Sequence, residues 1–188
     1  MLEAVDEIQR LLLRRIASRD RGALGELYDH TARPLFGVAC QMLGNAQEAE
    51  EVIQDVFVQI WSKAEKFDAT KGHAFHWALA ITRNRCIDQL RARQRRERVM
   101  VEWDAGQELE NAPDLASAES RRPEHEAAAI RSAVTGLPKD QRQAIEMAFF
   151  GGMTHLEIAA SLHEPLGTVK ARIRRGMLKL RESLQSYL

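Results

Sequence analysis

From about residue 99 to residue 124 the apolar periodicity that organises the rest of this chain stops, and no other feature constrains the fold as much. The stretch holds Gly106, Pro113 and Pro123, many acidic residues, and little that could form a core. It reads as a flexible acidic linker. The chain's 188 residues are thereby divided into two parts, each long enough for a small domain with a modest core. The expected division is residues 1–98, a linker over 99–125, and residues 126–188. Fully extended at ~3.3 Å per residue, a tether of about 26 residues reaches ~86 Å. That exceeds two turns of B-DNA at ~34 Å each.

Both flanking parts carry helical spacing. Leu2, Val5, Ile8, Leu12 and Ile16 recur every three or four residues and predict an amphipathic helix. A second helix is expected from about Ala23 to Leu43, ended by Gly44-Asn45. In the third, Val52, Ile53, Val56, Phe57, Ile60 and Trp61 form one apolar stripe, with Glu50, Glu51, Gln54, Asp55 and Gln59 on the other sides. A fourth helix starts near His73 and fades into Arg91, Arg93, Arg95, Arg96 and Arg98. Four short helices are expected after residue 126. Runs rich in Ala, Leu, Glu, Arg and Gln, with few aromatics, favour helix over sheet throughout, so the fold class is all-α.

Several function classes lose support here. No apolar run approaches the roughly 20 residues of a membrane span. The first thirty residues are broken by Glu3, Asp6, Glu7, Arg10, Arg14 and Arg15, unlike a signal peptide. A cytoplasmic protein without direct membrane insertion is expected. Cys40 and Cys86 sit singly in apolar helical patterns and read as buried free thiols. His73-x-x-His76 has no carboxylate or cysteine at a matching offset for a metal. No Gly-rich phosphate loop or nucleophile elbow occurs, so no catalytic residue, metal or cofactor is expected.

The zero net charge conceals a strong pattern. Residues 1–70 carry −4, 71–100 carry +6, 101–126 carry −6, 127–164 carry −1 and 165–188 carry +5. Two basic blocks at the ends of two helical regions suit a polyanion binder with two contact sites.

The C-terminal block has the clearest motif. Thr154-His155-Leu156-Glu157 fits a capping box, and Ile158, Ala159 and Leu162 follow as a short apolar face. After His163-Glu164-Pro165 comes a longer helix, in which Val169, Ile173, Gly176, Leu180 and Leu184 mark the buried side. Lys170, Arg174 and Arg175 then project outward, with Arg172 and Arg181 on the flanks. A short helix, a tight turn and a basic helix make a helix-turn-helix, whose second helix enters the major groove. Its arginines can reach guanine edges or phosphates.

In the N-terminal part, Phe75, His76 and Trp77 precede Arg83, Asn84 and Arg85, with Asp88 and Arg91 at helical spacing. Unpaired bases need flat surfaces to stack on, amides to read their edges and cations along the backbone. Aromatic residues at such spacing also serve as ordinary core. The acids Glu50, Glu51 and Asp55, with Gln54, fit either solvated surface or docking onto a basic protein.

Together these segments resemble the extracytoplasmic-function (ECF) group of bacterial RNA polymerase sigma factors, over nearly the whole chain. The helix from Ala49 to Trp61 resembles the one that docks on the clamp helices of the polymerase's largest subunit. The resemblance thus implies core-polymerase contacts at Glu50, Glu51, Gln54 and Asp55. The stretch Phe75-His76-Trp77-Ala78 through Arg83-Asn84-Arg85-Cys86-Ile87-Asp88 is similar to the part that reads the −10 element as single-stranded DNA. By resemblance the loop Ala69, Thr70, Lys71, Gly72 and His73, with Asn84, pockets a flipped base; Trp77, Arg83, Asp88 and Arg91 complete that site. Leu137-Pro138, Gln141-Arg142 and the run Pro165 to Arg175 are similar to region four, which binds the −35 element as duplex and contacts the polymerase flap. That implies contacts from Thr168, Lys170, Ala171, Arg172, Arg174 and Arg175. Two departures stand out. His163 occupies a turn position where glycine is common, and Ala171 stands where the family often has serine. The resemblance further implies an anti-sigma factor as partner.

Two other classes remain open at this stage. One is a polymerase-independent helix-turn-helix regulator with an N-terminal dimerisation or sensing domain. The other is a metal-dependent enzyme built on His73 and His76.

Overall fold

The structure is a computed structural model describing residues 2–103 and 124–185. Its described residues form eight α-helices and two short 3-10 turns, with no strand among them. Two compact units divide the chain, Met1–Glu119 and Ser120–Leu188.

The first unit holds α1 (Leu2–Ala17), α2 (Arg21–Leu43), α3 (Ala46–Lys63) and α4 (Ala74–Trp103). α2 is the central element, packing on α1, α3 and α4. Ala23, Leu27, Thr31, Leu35 and Ala39 recur every fourth residue and are all buried. Asp20 caps its start by accepting from the Ala23 amide at 3.2 Å, and Gly44 ends it in the left-handed conformation. In α3 the expected stripe is the buried face: Val52, Ile53, Val56, Phe57 and Ile60 are buried and Trp61 half-buried. Phe57 also meets Tyr28 of α2, with ring centroids 4.8 Å apart.

α1 is turned differently from the sequence expectation. Leu12 and Ile16 are buried, but Val5 and Ile8 are 43% and 47% exposed, while Asp6 and Gln9 point inward. Residues 6, 9, 13 and 16 also lie on one helical stripe, and Asp6 is drawn in to accept from the Ala74 amide at 2.8 Å. The fourth helix also differs: it runs on to Trp103, past the expected boundary at residue 98. Between the arginine run and Gly106 no glycine or proline breaks it, so helix continues where apolar periodicity has already faded. α5 begins at Glu124, so the remaining stretch read as an acidic linker, 104–123, lies outside the described residues.

The second unit holds α5 (Glu124–Thr135), α6 (Lys139–Phe149), α7 (His155–Leu162) and α8 (Leu166–Leu184). α5, α6 and α7 all pack on α8. Leu137, Ala144, Ile158 and Val169 are buried. Gly176 lets α6 approach closely, since a Cβ there would stand 2.6 Å from Ile145 Cδ1 and 3.3 Å from Gln141 Cβ. Ile173, Leu180 and Leu184 are half-buried on the same side, as their spacing predicts.

Among the described residues no helix is long and apolar enough to cross a membrane. Burial pushes the Cys86 thiol up to about 12, and burial followed by the nearby Glu50 charge raises Cys40. Both therefore stay as thiols at neutral pH; Cys86 is buried as its spacing predicts, whereas Cys40 is only half-buried.

Candidate nucleic-acid and protein interfaces

The helix-turn-helix is built by local chemistry. Thr154 Oγ1 accepts from the Glu157 amide at 3.3 Å, and the Thr154 amide donates to Glu157 Oε2 at 2.6 Å, completing the capping box. α7 ends at His163, which adopts φ 53° and ψ 39°. The His163 amide donates to the Ala160 carbonyl at 3.3 Å and the Glu164 amide to the Ala159 carbonyl at 3.0 Å. The turn thus keeps its left-handed geometry without glycine. A side chain in that region costs roughly 1–2 kcal/mol, partly offset because glycine loses about 0.5–1 kcal/mol more chain entropy on folding. His163→Gly is therefore expected to stabilise the unit slightly, by up to ~1 kcal/mol, read as slower amide hydrogen exchange in α7. Faster exchange would show that the histidine contributes more than its backbone strain removes.

On α8, Lys170, Arg174 and Arg175 are exposed, and Arg175 Nε also donates to the Ala171 carbonyl one turn back at 3.3 Å. Thr168 and Ala171 are half-buried beside them. Arg172 is placed otherwise. Its Nε lies 3.1 Å from Asp140 Oδ2 on α6, and its Nη2 donates to Glu164 Oε1 at 2.9 Å. With only 20% of its side chain exposed, it joins α6, the turn and α8 rather than presenting a free cation to a ligand.

The first unit carries two candidate surfaces. On α3, Glu50, Glu51, Gln54 and Asp55 are all exposed, and Val58 beside them is 68% exposed. Asp55 accepts from Arg85 of α4, so part of this acidic face is already paired. Its helical neighbours Gln54 and Asp55 mark Val58 as an apolar residue on a polar face.

The second surface combines the loop before α4 with one stripe of that helix. His76, Ala80, Asn84, Asp88, Arg91 and Arg95 are exposed and recur every three or four residues, hence share one face. Asn84, Asp88 and Arg91 are expected from the sequence; His76 and Arg95 join them on the same stripe. Trp77 is half-buried at its edge and packs on Phe67, centroids 5.6 Å apart at 59°. Phe75 and Arg83 are also half-buried.

In the loop, Ala69–Lys71 forms a 3-10 turn capped by Asp68, whose Oδ1 accepts from the Thr70 amide at 3.0 Å and the Thr70 hydroxyl at 2.6 Å. The Thr70 hydroxyl, the Thr70 amide and Lys71 together hold the Asp68 carboxyl below its ordinary value. Thr70, Lys71, Gly72 and His73 are exposed and Ala69 half-buried. Gly72 has φ 145° and ψ −171°, a conformation open essentially to glycine alone. His73 Nδ1 is paired with Asp6 Oδ2 at 2.9 Å, and its ring meets His76 edge-on at 5.3 Å. Among the described residues no cluster of three or more His, Cys, Asp or Glu could hold a metal.

Family models match both units: "Sigma-70 region 2" over residues 27–96 and "Sigma-70, region 4" over residues 127–180. The chain is 32% identical over 179 residues to the ECF RNA polymerase sigma factor SigK of Mycobacterium bovis, covering 92% of this chain and 91% of the relative. It is 38% identical over 166 residues to the ECF RNA polymerase sigma factor RpoE of Cereibacter sphaeroides, covering 88% of each. The solved complex of Rhodobacter sphaeroides SigE with the anti-sigma ChrR aligns with 32% identity and a TM-score of 0.47, covering 92% of this chain and 96% of that one. Two family models in chain order, together with relatives matched almost end to end, establish that this chain belongs to the ECF group of RNA polymerase sigma factors.

Proposed function

We propose that the chain acts without catalysis of its own, as the subunit that brings core RNA polymerase to its promoters in the cytoplasm and helps to open them. The first unit docks on core polymerase, at its clamp helices, through Glu50, Glu51, Gln54, Asp55 and Val58. The loop of Ala69, Thr70, Lys71, Gly72 and His73 captures the separated non-template strand at the −10 element. Trp77, Arg83, Asn84, Asp88 and Arg91 complete that surface. The second unit holds the −35 element as duplex through Lys170, Arg174 and Arg175, with Thr168 and Ala171 against the groove, and meets the polymerase flap. Arg172 holds the turn that aims the helix. Family membership further suggests an anti-sigma factor as its regulator.

The observation that carries this reading is that the two units present different surfaces. A capped helix-turn-helix with exposed cations at the start of α8 suits duplex DNA. A Gly-dependent loop beside an amide- and arginine-bearing stripe suits unstacked bases. A gel shift on promoter DNA, with and without core polymerase, tests it. Specific binding is expected only with both proteins present. Tight, specific binding by the chain alone would instead identify a polymerase-independent regulator.

The docking face yields a sharper expectation. An exposed apolar residue such as Val58, beside Gln54 and Asp55, contributes little to folding but can anchor an interface. Val58→Glu should leave thermal stability within ~0.5 kcal/mol. It should weaken core binding about tenfold, or ~1.4 kcal/mol, measured by fluorescence anisotropy. Unaltered core affinity would move the docking site elsewhere.

A further inference from the structure

α4 begins without a local cap. Its first amides need acceptors, and a helix start is ordinarily served by Ser, Thr, Asp or Asn just before it. Here the residues in that place are Gly72 and His73, whose backbone carbonyl accepts from the Trp77 amide at 3.1 Å. The missing acceptor comes from α1, 68 residues earlier. Asp6 Oδ1 accepts from the Ala74 amide at 2.8 Å, while Oδ2 holds His73 Nδ1 at 2.9 Å and Arg10 Nε at 2.7 Å.

Asp6 is 7% exposed. Burial alone would raise its carboxyl, but the Ala74 amide, His73 and Arg10 hold it below its ordinary value, so it stays ionised at neutral pH. The loop is therefore anchored at both ends: by Asp68 on Thr70 at its start, and by Asp6 on His73 and Ala74 at its end. Gly72 sits between these anchors in a conformation closed to other residues.

We propose that Asp6 is the positioning residue of the strand-capturing loop, fixing His73 and the start of α4 so that the loop is ordered before DNA arrives. This rests on the single-strand reading given above. Asp6 touches no base; it acts through His73 and Ala74. Without it the Ala74 amide loses its acceptor and His73 its partner, so bound DNA must order the loop itself. The docking residues on α3 make none of these contacts and keep their geometry.

The test uses the full chain assembled with core polymerase. The probe is a single-stranded oligonucleotide copied from the non-template strand of a promoter that the holoenzyme selects from genomic fragments. Versions carrying an abasic site at each position in turn accompany it. With the native chain, loss of one base in the −10 element is expected to weaken binding at least about tenfold. Asp6→Ala should reduce that discrimination to about two- to threefold while leaving core affinity within about twofold. Asp6→Asn keeps an oxygen for the Ala74 amide and should restore discrimination to about sixfold or more, clearly above the Ala variant. Native discrimination in Asp6→Ala would overturn the proposal. So would an Asn variant no better than the Ala variant, or parallel loss of core binding in both, which would make Asp6 merely structural. A native holoenzyme indifferent to every abasic site would instead overturn the single-strand reading beneath it.

Discussion

Exchanging Ile158 for alanine is expected to unfold most of the C-terminal unit while the N-terminal unit stays intact. Ile158 is fully buried on α7, the first helix of the helix-turn-helix, where α7 meets both α6 and α8. Truncating such a side chain costs roughly 2–5 kcal/mol through lost transfer energy and the cavity left behind. A helical unit of this size rarely holds more than ~3–5 kcal/mol in reserve. Amide hydrogen exchange of the full chain should show protection lost across α6, α7 and α8 and kept in α1 to α4. Core binding should persist, and dependence on the upstream element should vanish. Native-like protection in α7 would mean that the site collapses around the smaller side chain.

Replacing Arg174 and Arg175 together by alanine is expected to change DNA binding and leave the fold intact. Each is exposed on the presented face of α8. Removing a base-reading arginine costs roughly 1–3 kcal/mol, whereas removing a cation that pairs with phosphate weakens binding uniformly and lowers the salt dependence. The pair should weaken upstream-duplex binding by the holoenzyme by ~2 kcal/mol or more, about thirtyfold. The slope of log affinity against log salt should fall by ~0.9 for each phosphate that is no longer neutralised. Arg172→Ala makes the contrast. Its guanidinium is held by Asp140 and Glu164, so that variant should lower stability and leave the salt slope unchanged. Equal slopes for native chain and double variant would place the groove contacts on other residues.

Local chemistry made most of this fold legible. The stripe of α3 is regular over nine residues and needs no distant partner to be recognised, and it is buried as its spacing predicts. The same holds for the capping box at Thr154 and Glu157 and for the buried side of α8 at Val169 and Gly176. What escaped was set by contacts between elements. Asp6 and Gln9 sit among apolar neighbours that offer an equally good stripe, and only the uncapped start of α4 explains why Asp6 turns inward. The bare Gly72-His73 sequence before a helix was the available signal. Arg172 shares the basic character of its neighbours, and its carboxylate partners lie 8 and 32 positions away in sequence. Fading apolar periodicity marks the end of a buried face, which can precede the end of the helix, and α4 runs on to Trp103 for that reason.

In the proposed function one chain holds two states of the same DNA, melted bases with its first unit and duplex with its second. Footprinting a promoter with the holoenzyme tests this most directly, combining permanganate reactivity of thymines with hydroxyl-radical protection of the backbone. Reactive, unpaired thymines are expected at the −10 element and protected, fully paired DNA at the −35 element, both only when chain and core polymerase are present. A footprint of intact duplex at both elements, or the same footprint from the chain alone, would contradict it.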